Sequence, residues 1–420
     1  MIKSHDERPL KICLLTYRGN PTCGGQGVYV KHLSKALADL GHEVDVIPGP
    51  PYPQLDSKVK LHKLPSLDLY NPEHSFHVQR VRDLIHPLNM YEFLNMCTGS
   101  FPEPYTFGER AFRYLLKNKM SFDVVHDNQC LAYGIGKIAR ELFPTIATIH
   151  HPITVDRREE FKAAKTIYQK FKISRWYTFL KMQVKVARSL SYIVTVSEFS
   201  KKDIAQEFSI DENKFRVVYN GINNEYFYPA QNGTRPDNSI IVINSADIPL
   251  KGLNYLLEAV AKIRKKQSVK LTVIGEPKKN GIIEKLVTDL KIGDMVNFTG
   301  RIANEDFAGY YAKATIAVVP SLYEGFGIPA VEAMASGVPL ITTSGGALPE
   351  VVGDAGMIVP PADASVLAGA ITYLFNNPEQ RKKLAQAGLE RVNSVFSWPK
   401  AAQEVGDIYR EAIDGHRRFS

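Results

Sequence analysis

The chain has 420 residues, 44% of them hydrophobic and 23% charged, with 52 Lys and Arg against 44 Asp and Glu. That size suits two domains, and no apolar run reaches the roughly 18 residues of a membrane span. The net charge of +8 suits an anionic partner and does not choose between a nucleotide, an anionic lipid surface and nucleic acid. The four cysteines, Cys13, Cys23, Cys97 and Cys130, form no Cys-x-x-Cys pair, which argues against a disulfide framework or a zinc site and fits a reducing cytoplasm. No secretory signal is legible near the start.

In chain order, Leu10–Tyr17 reads as a buried strand. A loop containing Gly24-Gly25-Gln26-Gly27 follows, and Val28–Leu40 has helical periodicity through Val30, Leu33, Leu37 and Leu40. Gly41 caps this helix and Glu43–Ile47 is the next strand, giving strand, Gly-rich loop, helix, strand. Such a loop alone is a weak signal; it could be a simple turn. Residues 50 to 120 are aromatic-rich and irregular, with a helix over Gly108–Asn118. Phe122–His126, Thr145–His151 and Ser189–Val196 read as strands, the first two ending in polar clusters. Asn220–Asp237, rich in Asn, Pro and Gly, is the expected linker.

The second half alternates in the same way. Ser239–Asn244, Lys270–Gly275, Val296–Thr299 and Ala314–Pro320 are expected strands, and Gly252–Lys265 an amphipathic helix. Gly325 and Gly327 permit a sharp turn, Pro329 fits a first helical turn, Ala330–Ser336 continues as helix, and Val338–Thr342 resumes as strand. Free N–H groups and the positive dipole end at such a helix opening suit phosphate. A last helix starts at Trp398. The pattern is α/β, two successive doubly wound Rossmann-like halves.

Ordered motifs in the second half go further: Phe298-Thr-Gly300-Arg301, Tyr310-Tyr-Ala312, Pro320-Ser-Leu-Tyr-Glu324-Gly-Phe-Gly327, Glu332-Ala-Met-Ala-Ser-Gly337 and Gly345-Gly346-Ala-Leu-Pro349-Glu350. With Gly24-Gly25 through Gly41-His42-Glu43-Val44 in the first half, they resemble the retaining glycosyltransferases of family 4. The resemblance implies the GT-B fold: two Rossmann-like domains facing a cleft, with a C-terminal helix returning to the N-terminal domain. The implied layout is an acceptor domain over 1–222, a linker over 223–237, a donor domain over 238–397 and the returning helix over 398–420. The implied function is transfer of a sugar from a nucleoside-diphosphate sugar to a hydroxyl of a glycan, lipid-linked or small-molecule acceptor.

On this reading Glu332 accepts hydrogen bonds from the ribose hydroxyls and Glu324 contacts the transferred sugar near the reacting carbon. Gly325, Phe326, Gly327 and Ile328 offer backbone to the donor, and Gly25 and Gln26 lie on the donor side of the first half. Lys251, just before a helix start, would meet the departing diphosphate. The family usually carries an arginine five residues earlier; here Ala246 stands there, and the expected substitute cation is Arg301 or a residue of the facing domain. After the first-half strands, His126 is the expected catalytic histidine. Asp127, Asn128 and His150 are acceptor-side candidates, with Asn128 standing where the family often has a second histidine. No Asp-x-Asp pair or His/Asp cluster has metal spacing, so neither metal nor cofactor is expected beyond the donor substrate.

From Arg157 to Arg188 the chain carries ten Lys or Arg and two acidic residues, interleaved with Phe161, Tyr168, Phe171 and Trp176. The plain reading is helices packed on the sheet with solvated lysines. The sharper one is a peripheral contact of 157–188 with the inner face of the cytoplasmic membrane; nucleic acid is not expected, since no recognised module accompanies the charge. Two rival functions stand beside the transferase: a non-catalytic sugar-nucleotide- or glycan-binding protein on the same fold, motivated by Ala246 and Asn128, and a sugar-nucleotide epimerase.

Overall fold

Near-continuous apolar runs in the strands require cover on both sheet faces, which helices between parallel strands provide. The computed structural model describes residues 8–20, 25–71, 81–229, 235, 237–244 and 248–417, and in them the chain forms two compact units. One contains the described residues up to Val196, Lys201–Val218 and the chain from Trp398 onward. The other contains Ser197–Ser200 and Tyr219–Ser397. Part of the expected linker, 230–234 and 236, lies outside the described residues, as do Gly24 and Ala246.

The first unit is built on a parallel sheet of β1 (Lys11–Thr16), β2 (Glu43–Pro48), β3 (Lys60–Leu61), β4 (Val124–Asn128), β5 (Thr145–Thr148), β6 (Ile193–Thr195) and β7 (Phe215–Val217). Its order is β3-β2-β1-β4-β5-β6-β7, so the winding reverses between β1 and β4, where Leu14 stands beside His126 and Leu15 beside Asp127. The helix Gln26–Asp39 buries Tyr29, Val30, Leu33 and Leu37 on one face. The last helix, Trp398–Arg417, packs next to it through Ala402, Val405, Tyr409 and Ile413, so the expected return of the C-terminal helix is observed. Burying each such aliphatic side chain contributes roughly 1.5–3 kcal/mol. On the other face Phe107, Leu115, Ile135, Ile138, Met182 and Val186 form a second apolar layer.

The second unit has β8 (Ser239–Ile243), β9 (Lys270–Ile274), β10 (Val296–Phe298), β11 (Ile316–Val319), β12 (Leu340–Thr343) and β13 (Met357–Val359), again parallel, in the order β10-β9-β8-β11-β12-β13. Its reversal lies between β8 and β11. Helices Leu253–Ile263 and Ala364–Asn376 fill a core with Ile240, Val242, Val273, Val318 and Ile341.

Several boundaries differ from the sequence reading. The helix expected from Gly108 starts at Glu103, because Pro104 is tolerated in a first turn. β5 stops at Thr148; Pro152 has no N–H for a sheet ladder, and His150 and His151 lie in the following loop. The aromatic-rich region also holds a helix, Pro87–Cys97. The basic stretch lies across three helices, Ile153–Ala163, Ile167–Trp176 and Leu180–Ser189, and the third buries Leu180, Met182, Val186 and Ala187. No helix among the described residues is long and apolar enough to cross a membrane.

Candidate active site

In doubly wound sheets the carboxyl ends of the two strands flanking the reversal diverge and leave a crevice. In the second unit those strands are β8 and β11, and the loops after them carry Lys251 and Glu324. The two loops touch through backbone. Gly252 is left-handed at φ 64, and a Cβ there would sit 2.0 Å from the carbonyl oxygen of Pro320. Leu322 N–H donates to the Leu250 carbonyl at 2.7 Å. This approach brings Lys251 Nζ to 2.8 Å from Glu324 Oε1. Ser321 Oγ donates to the same oxygen at 2.8 Å, and Asn244 Nδ2 donates to the Lys251 carbonyl at 3.1 Å.

The Glu324 loop is fixed from both sides. Ala347 N–H donates to the Glu324 carbonyl at 2.9 Å. Gly346, at φ 68, comes so close that a Cβ would lie 2.2 Å from that same oxygen. The next carbonyl, of Gly325, accepts from Ser197 Oγ at 2.7 Å and Ser200 Oγ at 2.8 Å. Phe326 is buried against Tyr219 and Phe396, so its ring anchors the loop and only its backbone is left for a ligand. Gly327 is left-handed at φ 95 and starts the helix Ile328–Ala335, with Pro329 in the first turn as expected. The N–H groups of Phe326 and Gly327 meet no acceptor among the described residues.

Glu332 lies on that helix, half-buried beside Tyr311, and no described residue donates to its carboxylate. Burial pushes its carboxyl up to about 8. A half-buried carboxyl that no described residue donates to has hydrogen-bonding capacity left for hydroxyls of a ligand. Arg301 is exposed just after β10, two strands from β8, which amounts to about 10 Å of sheet.

The first-unit candidates fall into two networks at the reversal between β1 and β4. Asn128 Nδ2 donates to the Gln26 carbonyl at 3.1 Å, its Oδ1 pairs with His150 Nε2 at 2.8 Å, and Gly25 caps the helix that Gln26 begins. Gln129 Oε1 accepts from His150 N–H at 2.8 Å, so the loop after β5 is tied to the turn after β4. His126 lies deeper. Its Nδ1 meets the Tyr409 hydroxyl at 2.7 Å and its Nε2 meets Thr148 Oγ1 at 2.6 Å. Burial, with His150 adding a smaller effect, depresses it to about 3. Both nitrogens are engaged inside the core, and through them His126 ties the last helix to the sheet. Asp127 is also interior; its Oδ2 accepts from Leu131 N–H at 2.8 Å and holds the turn, and burial raises its carboxyl to about 7. Its Oδ1 meets no donor among the described residues.

The sequence matches Glycosyl transferases group 1 over residues 226–391 and Glycosyltransferase Family 4 over residues 23–226. It is 44% identical over 408 residues to the MMP alpha-(1->4)-mannosyltransferase of Mycolicibacterium hassiacum, covering 96% of this chain and 98% of the relative. The chain belongs to the family 4, group 1 glycosyltransferases. This glycosyltransferase also resembles the solved sucrose-phosphate synthase of Thermosynechococcus elongatus, with a TM-score of 0.74 at 24% identity over 96% of this chain and 100% of that one. The Anabaena HepE structure in complex with UDP-glucose gives 0.67 at 15% identity, over 95% and 99% of the two chains. These likenesses carry the GT-B fold of two Rossmann-like domains.

Sequence reasoning missed several residues that shape the glycosyltransferase's site. Ser321 orients Glu324, Ser197 and Ser200 hold the Gly325 carbonyl, and Glu350 accepts from the N–H groups of Glu198 and Phe199 at 2.7 and 3.0 Å. A hint was present: Ser197 and Ser200 flank a helix start, where hydroxyls commonly cap. Their use by a loop so distant in sequence has no local signature.

Proposed function

We propose that this glycosyltransferase moves a hexosyl group from a nucleoside-diphosphate sugar to a hydroxyl of a glycan acceptor, with retention at the anomeric carbon and without a metal. The observation that carries the reading is the convergence of Lys251, Glu324 and the unpartnered helix opening at the strand reversal of the second unit, with Glu332 on the same helix. Mannose is the sugar to try first, given the relative's α-1,4-mannosyl transfer.

In this reading Glu332 takes the ribose hydroxyls, and the Phe326 and Gly327 N–H groups take sugar or phosphate oxygens. Lys251 leaves Glu324 for the diphosphate, which frees Glu324 to accept from the sugar. The bond from the anomeric carbon to the diphosphate breaks as a bond to the acceptor oxygen forms on the same face. The acceptor proton goes to the departing phosphate oxygen, so nucleoside diphosphate and glycoside are the products. Lys251 and the helix N–H groups stabilise the charge that develops on the leaving group, the role a cation would otherwise fill. Asn128 and His150 belong to the acceptor side.

The test is a thermal-shift screen with GDP-, UDP- and ADP-sugars, followed by nucleoside-diphosphate release from the donor that binds, with and without EDTA. A shift with one donor, and EDTA-insensitive release that Lys251→Gln abolishes, support the reading. No shift with any donor overturns the donor site, and release that needs added magnesium overturns the metal-free step.

A further inference from the structure

The basic stretch is not used by the transferase reading, and only part of it is available at the surface. Leu180–Ser189 packs inward, whereas the helix Ile167–Trp176 buries no residue at all. Its start is closed by the Thr166 and Gln169 capping box, and its end is held by Trp176, stacked on Phe101 at 5.1 Å between ring centres. Ile167, Tyr168 and Phe171 are 88%, 65% and 64% exposed. The neighbouring helix Pro87–Cys97 exposes Leu94 at 55% and Tyr91 at 43%.

The two helices that carry these side chains are tied together. Arg175 Nη2 donates to Thr98 Oγ1 at 2.7 Å and to Asn95 Oδ1 at 3.2 Å, joining the two helices. Phe171 lies one turn before Arg175, and Tyr91 one turn before Asn95, so each apolar stripe lies one turn from this junction. Lysines border the face. Lys165, Lys170 and Lys172 have no carboxylate within ion-pair distance among the described residues; Lys170 lies 5.4 Å over the Phe161 ring and Lys172 4.7 Å over the Tyr168 ring. Aromatic rings carrying lysine ammoniums beside exposed aliphatic chains match the chemistry of a bilayer's headgroup layer, where one end of a side chain is apolar and the other wet.

We propose that this face docks the enzyme on an anionic bilayer surface, with Ile167, Phe171 and Leu94 entering the headgroup layer and the three lysines meeting lipid phosphates. A second copy of the chain would set like charges against each other. A soluble polyanion would satisfy the lysines and leave Ile167 and Phe171 in water. The proposal does not depend on the donor or acceptor of the reaction.

The experiment is vesicle flotation of the full chain with phosphatidylcholine alone and with added phosphatidylglycerol, across a salt series. The expected result is association with the anionic vesicles only, weakening as salt rises. Lys170→Ala with Lys172→Ala should lower it by about 25-fold, taking roughly fivefold for each lysine near the surface. Ile167→Ser with Phe171→Ser should lower it at unchanged charge. Quenching of Trp176 emission by brominated phosphatidylglycerol reports the docked face without any substitution on it. No anionic association, unquenched Trp176 emission, or full binding by both double variants overturns the proposal. So does a vesicle-independent dimer that the apolar variant dissolves, since the face would then belong to a second copy.

Discussion

Replacing Glu332 by Gln gives a sharp test, because burial raises this carboxyl to about 8 and no described residue donates to it. In the ligand-free enzyme at pH 7 it is about nine-tenths protonated, and ionising it there costs about 1.4 kcal/mol. If ribose hydroxyls bind the carboxylate, nucleotide binding expels that proton, about 0.9 per site at pH 7 and about 0.1 at pH 9. The sign follows: the bound form holds fewer protons, so affinity rises with pH, about tenfold from 6 to 7, and levels off above 8. The amide of the Glu332→Gln variant keeps one acceptor and loses the titration. At pH 9 the exchange weakens binding by about 1.5–3 kcal/mol, the worth of a hydrogen bond to a charged group, and at pH 7 the avoided ionisation of about 1.4 kcal/mol offsets from about half to nearly all of that. Calorimetric titration with nucleoside diphosphate in phosphate and in Tris buffer, at several pH values, reads both proton release and affinity. Ionisation of the nucleotide's own phosphate is common to both proteins and cancels in the comparison. Equal heats in the two buffers after that correction, or a wild-type slope that the Gln variant keeps, would refute the reasoning.

Other consequences follow from the same geometry. Lys251→Gln should lower kcat about 100-fold through lost leaving-group stabilisation, while the melting temperature falls by no more than roughly 10 °C, because the buried Glu324 keeps the Ser321 hydroxyl and losing its partly exposed lysine costs about 1–3 kcal/mol; a larger shift or a kcat within about threefold contradicts this. Ser321→Ala removes one donor to Glu324 and should cost about 1 kcal/mol in kcat/KM, with Ser321→Thr restoring it; steady-state kinetics on the three proteins decide. Gly346→Ala places a Cβ against the Glu324 carbonyl in left-handed backbone, so donor binding and about 1–3 kcal/mol of stability should be lost together in a binding and denaturation series. Burial holds both His126 and His150 at about 3, below the ordinary imidazole value of about 6.5. Each of these imidazoles therefore lowers stability as pH drops from about 6.5 towards 3, by about 1.4 kcal/mol per unit, while the raised carboxyls of Asp127 and Glu332 act with the opposite sign, so the histidine share is read as the difference in pH dependence between the wild type and its His126→Asn and His150→Asn variants. Melting temperatures of wild type and variants that run parallel between about pH 6.5 and 4.5 would count against that burial.

The two wound halves were legible because parallel strands buried on both faces leave continuous apolar runs such as Ile12–Leu15 and Ile316–Val319, separated by helical periodicity. The loop and helix opening of the candidate site were legible because Glu324, Gly327, Pro329 and Glu332 lie within one turn and one helix. Two kinds of feature were not. His126 sits at a strand end in the sequence just as a ligand-facing residue would; only the last helix, 283 residues later, supplies the Tyr409 hydroxyl that makes it a core group. The basic stretch reads as one amphipathic surface, yet its third helix turns inward, and its exposed partner face comes from Tyr91 and Leu94 in a region whose pattern was irregular.

The central claim is transfer from a nucleoside-diphosphate sugar with retention. The direct measurement is proton NMR of the product formed from an α-linked nucleoside-diphosphate mannose and a mannoside acceptor. The account predicts an α-linked disaccharide with equimolar nucleoside diphosphate, lost in Glu324→Gln. A β-linked product, or an unchanged yield from that variant, would contradict it.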